Sequence, residues 1–355
     1  MTKIFALGVT GYIGGDALYA ISKAHPEYEW TCLVRNSDKG ALVAKQYPKV
    51  RLVYGDLDSS EIIAEEAEKA DIVCNWANCD HAAAATAIVL GLSRRPPTTP
   101  SFYIHTSGTA ILMIHDQQLR LFGESSTKVY DDVSSIGEIT SFPDQAWHRD
   151  VDKIVLGALS SAAAAAATKT AIVCPPCIYG AGRGPANVRS SQIPELTRFT
   201  LKRGKGFAVG EGKAWWSGVH VQDLSELFRK LVEAGAAGGG EASWGAEGYY
   251  FAENGEFEWG AMAGLIAKEC AKRGLIEGDE IDHLAPEEVE KVVGNGFLGP
   301  IWGQNSRSRA SRGRKLLGWE PAKPSLEEDI ARNVDVEAAA LGLTKSHAEA
   351  AAGDA

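Results

Sequence analysis

The chain is poor in the features that would place it in a membrane, in an oxidising compartment or on a nucleic acid. None of its apolar runs reaches the roughly 18 residues that a bilayer-spanning helix needs. The N-terminus reads as a strand rather than a charged and then apolar leader. No basic stripe stands out, and 36 Lys and Arg against 46 Asp and Glu leave a formal charge of −10. That balance speaks against a nucleic-acid partner. Only six cysteines occur in 355 residues, and Cys32, Cys74 and Cys174 sit inside apolar runs. They read as buried free thiols of a reducing compartment, so a soluble, cytoplasmic protein is expected. Cys174-Pro-Pro-Cys177 has redox spacing, but it follows an apolar strand and has no second pair to make a metal site. Arg307, Arg309, Arg312, Arg314 and Lys315 form a small basic cluster, read as a solvated loop with an anion contact as the alternative.

What is present begins at once. The apolar run Ile4 to Leu7 enters Gly8-Val-Thr-Gly11-Tyr-Ile-Gly14, and helical spacing follows through Ala17, Leu18, Ala20 and Ile21. A strand, a glycine turn and a helix N-terminus aim backbone N–H groups and the positive end of the helix dipole at one spot. Glycines let the backbone approach a pyrophosphate. This context predicts a bound dinucleotide.

Apolar strands are readable at 3–8, 30–35, 50–54, 71–77, 101–107 and 169–174, with helices at 14–24, 38–46, 59–69, 80–93 and 145–167. The last helix ends in the alanine run Ala162 to Ala167. Such alternation predicts an α/β fold, a Rossmann-type doubly wound parallel sheet. After residue 180 the texture changes to a Gly/Pro/Arg-rich loop. Helices follow at 191–203, 222–234 and 257–273, with strands at 215–221 and 248–252. Residues 1–180 are therefore assigned to the nucleotide-binding domain and 181–335 to a smaller, interleaved substrate lobe, with 215–234 partly returning to the first domain. Gly235 to Gly240 reads as a flexible surface insertion and 336–355 as an Ala-rich, fraying tail.

The second strand ends at Arg35, where an acidic residue would hydrogen-bond the ribose of NAD. A guanidinium cannot accept from a hydroxyl but clamps a 2′-phosphate, so NADP(H) is expected. Asp56, after the third strand, can reach an adenine amine, and Asp58 can cap the next helix.

These stretches resemble the extended short-chain dehydrogenase/reductases, the family of nucleotide-sugar epimerases, dehydratases and related reductases. The resemblance is carried by Gly8 to Gly14, Gly55-Asp-Leu57, Asp71 to Ala77, His105-Thr-Ser107, Pro176-Cys-Ile-Tyr-Gly180, Val219 to Asp223 and Leu316 to Pro321. It implies a cofactor lying along Gly8, Thr10, Gly11, Tyr12, Ile13, Gly14, Asp56, Leu57, Ala77, Pro176 and Ile178, with Lys153 on the nicotinamide ribose. It also implies a Ser, a Tyr and a Lys four residues beyond it as the chemical groups. Ser107 and Lys153 match, but Arg149 stands at the tyrosine position. Residues i and i+4 share a helix face, so Arg149 and Lys153 are both expected toward the cofactor. Arginine stays protonated and cannot shuttle a proton, although it can hold an oxyanion or a carboxylate. His148 and Tyr179 are the remaining proton-donor candidates. The alternatives are a His148 paired with Asp144 or Asp152, and a Tyr179 used for packing.

Trp215, Trp216 and Trp302 fall in the substrate lobe, either as core or as a wall for a flat ligand. Asp223 reads as a helix N-cap. The expected activity is an NADP(H)-dependent oxidoreductase acting on a small carbonyl or hydroxyl compound. The alternatives are an NADP(H) sensor without turnover and a non-redox lyase or isomerase. Homodimers are common in the family, and no metal is expected.

Overall fold

The computed structural model describes residues 1–96, 98, 100–157, 168–294 and 296–344. Strands β1 (Lys3–Leu7), β2 (Glu29–Val34), β3 (Arg51–Tyr54), β4 (Ile72–Asn75) and β5 (Ser101–Thr106) alternate with helices α1 (Tyr12–Ala24), α2 (Ser37–Gln46), α3 (Ser60–Lys69) and α4 (Ala82–Ser93). β4 and β5 are buried along their whole length, as strands covered on both faces must be. Next come α5 (Ile114–Leu119), β6 (Tyr130–Asp131), α6 (Ile136–Ile139), α7 (Arg149–Gly157), β7 (Thr168–Cys174), β8 (Cys177–Tyr179), β9 (Gly206–Val209), β10 (Trp215–His220) and β11 (Tyr249–Phe251). The main sheet has seven strands in the order β11-β7-β5-β4-β1-β2-β3, and each of its pairings is parallel. The order reverses beside β1. Right-handed crossovers therefore send α1 and α2 to one face and α3, α4 and α7 to the other, and leave a crevice at the carboxyl edge. This is the expected Rossmann-type architecture.

A second apolar core lies beyond the sheet, around Phe207, Trp216, Trp259 and Trp302. It is built from β8, β9 and β10, β12 (Glu256–Glu258), β13 (Ile281–Leu284) and the helices Gln192–Arg203, Trp259–Lys272 and Leu326–Ala340. The chain crosses between the two cores. Helix Val221–Ala236 packs on α1, and β11 returns to form the edge of the main sheet.

Several expectations change. The helix read over 145–167 starts at Arg149, and the alanine run Ala162 to Ala167 lies outside the described residues. The glycines from 235 are not a loose insertion. Helix Val221–Ala236 runs through Gly235, which packs on Ile72 and Phe102, and Gly238 to Gly240 make a tight turn at positive φ. The tail does not begin at 336. Leu326–Ala340 is one helix, capped by Ser325 and Glu328, with Val334 and Ala338 in the second core, while residues 345–355 lie outside the described residues. Asp223 is not an N-cap. His220 caps that helix, and Asp223 accepts from the N–H groups of Ala322 and Lys323 instead. The basic cluster is solvated only at Arg309 and Lys315: Arg307 pairs with Glu256 and Arg314 with Glu253, and Arg312 is buried against the Asp132 carbonyl. Each guanidinium is neutralised or hydrogen-bonded on burial, as burial requires.

Candidate functional site

The glycine loop is closed by backbone packing. Gly8 sits at φ +86°, and a Cβ there would lie 2.5 Å from the Ala77 nitrogen. A Cβ on Gly14 would lie 2.5 Å from the Gly8 carbonyl oxygen. The Gly11 N–H donates to that carbonyl at 2.8 Å. α1 then begins at Tyr12 with no side-chain cap and no acid in its first turn, so its first N–H groups stay available to an anion.

Two clefts open on this turn. The larger, about 480 Å³, is lined by Gly8, Thr10, Gly11, Arg35, Asp56, Leu57 and Ala77, together with Asn78. The smaller, about 300 Å³, is lined by Tyr12, Ile13, Pro176 and Ile178, and Trp76 borders both. Gly14 lies beneath the turn. Arg35 is exposed and makes no ion pair among the described residues. Asp56 is turned back on its own loop, accepting from the Ser59 hydroxyl and the Asp58 N–H. The strip after β8 is tied to α1: Arg183 clamps the fully buried Asp16, which also accepts from Ser225, and Gly184 packs directly on Gly15.

At the carboxyl ends of β4 and β5 the polar groups differ from those expected. Arg149 is buried. Its Nε donates to the Phe142 carbonyl at 3.0 Å and its Nη2 to the Thr140 carbonyl, so it ties down the 140–147 loop rather than facing the cofactor. Lys153 is half exposed and pairs with Asp144 at 2.7 Å, outside both clefts. Besides Arg149, the buried residues of α7 are Val151, Asp152 and Val155, and of the expected pair Lys153 is the one turned outward. His148, just before the helix, is four residues from Asp152 and shares its face.

His148 adopts φ +66°, a left-handed conformation that few non-glycine residues occupy. The braced loop pushes its ring against Gly108, where a Cβ would come within 3.0 Å of Nε2. Nδ1 lies 2.6 Å from Asp80 Oδ1 and 3.4 Å from Cys79 Sγ. Burial, the largest single influence, would lower the imidazole's pKa, but the hydrogen bonds and charges of Asp80 and Cys79 together outweigh it, so the value rises to about 10. Burial would raise the Asp80 carboxyl, yet His148 brings it below the ordinary range. The pair is thus imidazolium and carboxylate at neutral pH, with Nδ1 engaged and Nε2 making no hydrogen bond among the described residues.

Behind it, His105 is fully buried, which pushes it down to about 3 and keeps it neutral. Tyr103 and Asn75 hold its Nδ1. Asp152 accepts from the Tyr249 hydroxyl at 2.8 Å, and burial lifts it to about 6. The Ser107 hydroxyl lies beside Asp152 and Cys174 but completes no hydrogen bond. Tyr179 is no proton donor: it is buried in the second core and donates to the Pro324 carbonyl. Trp216 and Trp302 are core, and Trp215 is covered by Arg307.

The sequence matches the profile of the NAD dependent epimerase/dehydratase family over residues 4–244. The chain belongs to that family. Among its relatives, an oxidase of Acremonium, ucsJ, is 40% identical over 96% of this chain and 99% of its own. UDP-glucose 4-epimerase of Thermotoga maritima superposes with a TM-score of 0.64 at 13% identity, covering 96% of this chain and 100% of its own. A dTDP-glucose 4,6-dehydratase of Streptomyces venezuelae, DesIV, gives 0.64 at 15%, covering 97% and 99%. The protein is accordingly an enzyme with an oxidoreductase-type fold, and among the described residues no helix is long and apolar enough to cross a membrane.

The two clefts collect the expected cofactor residues other than Gly14 and Lys153. Of the expected chemical groups, Ser107 and His148 stand at the sheet edge, whereas Arg149, Lys153 and Tyr179 do not. Asp80, Cys79 and Tyr249 were not singled out from the sequence, and His105 only as part of a matching stretch, because their roles depend on which strand ends meet. Asp152 carried one usable signal, its position four residues after His148.

Proposed function

We propose that the protein is an NADP(H)-dependent oxidoreductase acting on a small carbonyl or hydroxyl compound, with His148 in the proton-transferring role that a tyrosine fills in the wider family. The observation that carries this reading is the Asp80–His148 pair beside Ser107 and Gly108, next to the cleft-lining Asn78. The residues present fit a dinucleotide: an uncapped helix start, a glycine turn with no room for Cβ atoms, and an open cleft beside them. The structural neighbour DesIV was solved with NAD, and the relative ucsJ is named an oxidase, which agrees with redox use of the cleft. Arg35, exposed and without an ionic partner, supports NADP(H) over NAD(H).

A nicotinamide dinucleotide held along the glycine turn and the two clefts would supply hydride chemistry at the substrate carbon, which leaves the substrate oxygen to the protein's own residues. His148 Nε2–H donates to the substrate oxygen and delivers its proton as charge develops there. Asp80 holds the imidazolium and fixes which nitrogen faces inward. The Ser107 hydroxyl, buried and without a hydrogen-bond partner, stands beside this pair, with Asp152 and Tyr249 behind it. Mixing the protein with NADPH and a carbonyl panel tests the reading. NADPH oxidation that is lost in His148→Gln is expected, and no oxidation with any carbonyl overturns it.

A further inference from the structure

Cys79, Asp80 and His148 do more than an ion pair requires. The Asp80 N–H donates to the Asn78 side chain at 3.1 Å, closing a tight turn that brings two consecutive side chains to one spot. Both then reach the same nitrogen. Asp80 Oδ1 stands 2.6 Å and Cys79 Sγ 3.4 Å from His148 Nδ1, and the three donor atoms all lie within 4.8 Å of one another. A single N–H cannot serve two acceptors well, so the thiol supports the pair but is not needed to make it.

We propose that this cluster is a binding site for a zinc-class divalent ion, taken by the Cys79 thiolate, the Asp80 carboxylate and His148 Nδ1. Imidazole, thiolate and carboxylate are the ligands such ions prefer, and three protein ligands leave a fourth position for water. Bonds of about 2.0–2.3 Å place tetrahedral donors about 3.3–3.8 Å apart. The His148–Cys79 separation already suits this, and only Asp80, whose side chain is half exposed, has to swing outward. The ion takes the place of the proton on Nδ1 and the proton on the thiol. Metal and the protonated His148 of the proposed reaction are therefore mutually exclusive, and this consequence rests on that proposal, whereas binding itself does not.

Cobalt titration of the metal-free full chain is the test. Cys32, Cys74, Cys174, Cys177 and Cys270 are all buried, so a thiolate signal reports on Cys79. One equivalent of Co²⁺ is expected to give a thiolate-to-cobalt charge-transfer band and tetrahedral ligand-field absorption. Both should vanish in Cys79→Ala, with NADPH binding retained as evidence of folding. No saturable band, or a band that survives in Cys79→Ala, overturns the site. One equivalent of Zn²⁺ is expected to stop NADPH turnover and a chelator to restore it; full turnover with zinc bound overturns the exclusion. The absorption readout needs no turnover, so failure of the catalytic reading leaves it standing.

Discussion

The two ends of the crevice are built from different materials. At the α1 end, recognition is made of backbone: Gly8 and Gly14 pack so closely that a Cβ would meet main-chain atoms at 2.5 Å. At the α7 end it is made of side chains: His148, Asp80, Asp152 and Ser107, held in place by Arg149 in the loop beneath. A backbone device has no tolerance for substitution, because every other residue brings a Cβ. A side-chain device can exchange its chemistry, provided that a new group reaches the same place. Here an imidazole comes from the residue before the helix, and the arginine beside it has become a brace.

The largest effect is expected at the backbone end. Gly8→Ala combines a left-handed φ with a main-chain clash and should weaken NADPH binding more than about 100-fold, or prevent folding. Calorimetric titration together with circular dichroism separates the two; near-normal affinity in a folded variant would break the contrast. His148→Gln should lower kcat by about 10²–10⁴-fold while the NADPH Kd stays within about threefold. An equal rise in Kd would move His148 into the binding end. Arg35→Ser should weaken NADPH by about 10–100-fold and NADH hardly at all, the loss of one charge-assisted phosphate contact. Parallel losses for both nucleotides would remove the basis for the NADP(H) preference.

Asp80→Asn sharpens the electrostatic side. His148 is protonated below about 10, so reduction should fall as pH rises through about 10. Its folded pKa lies above the unfolded value of about 6.5. The stability that the pair contributes is therefore present in full below about 6.5 and lost as pH rises through about 10. In Asp80→Asn both the alkaline limb of the rate and that of stability should move down toward neutral pH, and an unmoved limb would exclude the pair as its origin. The smallest effect is expected for Lys153→Ala. An exposed ion pair of this kind is worth about 0–1 kcal/mol, so steady-state constants should change less than about threefold. A large loss would restore the family's usual lysine role.

The sequence was most readable where one local pattern suffices. The glycine spacing after an apolar run placed the turn, and alternating strands and helices placed the sheet edge above it. The side-chain end was less readable, because a YxxxK-style alignment fixes register by counting, while the helix fixes it by burial. Val151, Asp152 and Val155 are buried; Arg149 is buried too but spent on the Phe142 and Thr140 carbonyls, and only Lys153 turns toward solvent. Asp80 and His148 lie 68 positions apart and meet because α4 and α7, which they precede, pack side by side at the carboxyl ends of β4 and β5. The partners of Arg307, Arg312 and Arg314 come from distant segments in the same way. Arg307, Arg312 and Arg314 looked solvated in the sequence and are locked in the structure, whereas Arg309 and Lys315 do stay exposed.

The clamp between Asp16 and Arg183 gives α1 a second duty. The helix that offers its N-terminus to an anion also anchors, through Asp16 and Gly15, the strip leading to Asn187 at the second cleft. That strip is seated before any ligand arrives, so the entropy of ordering it is spent during folding rather than on binding. The wall of the second cleft is thus fixed by the fold itself, and its rigidity depends on the stability of the first helix.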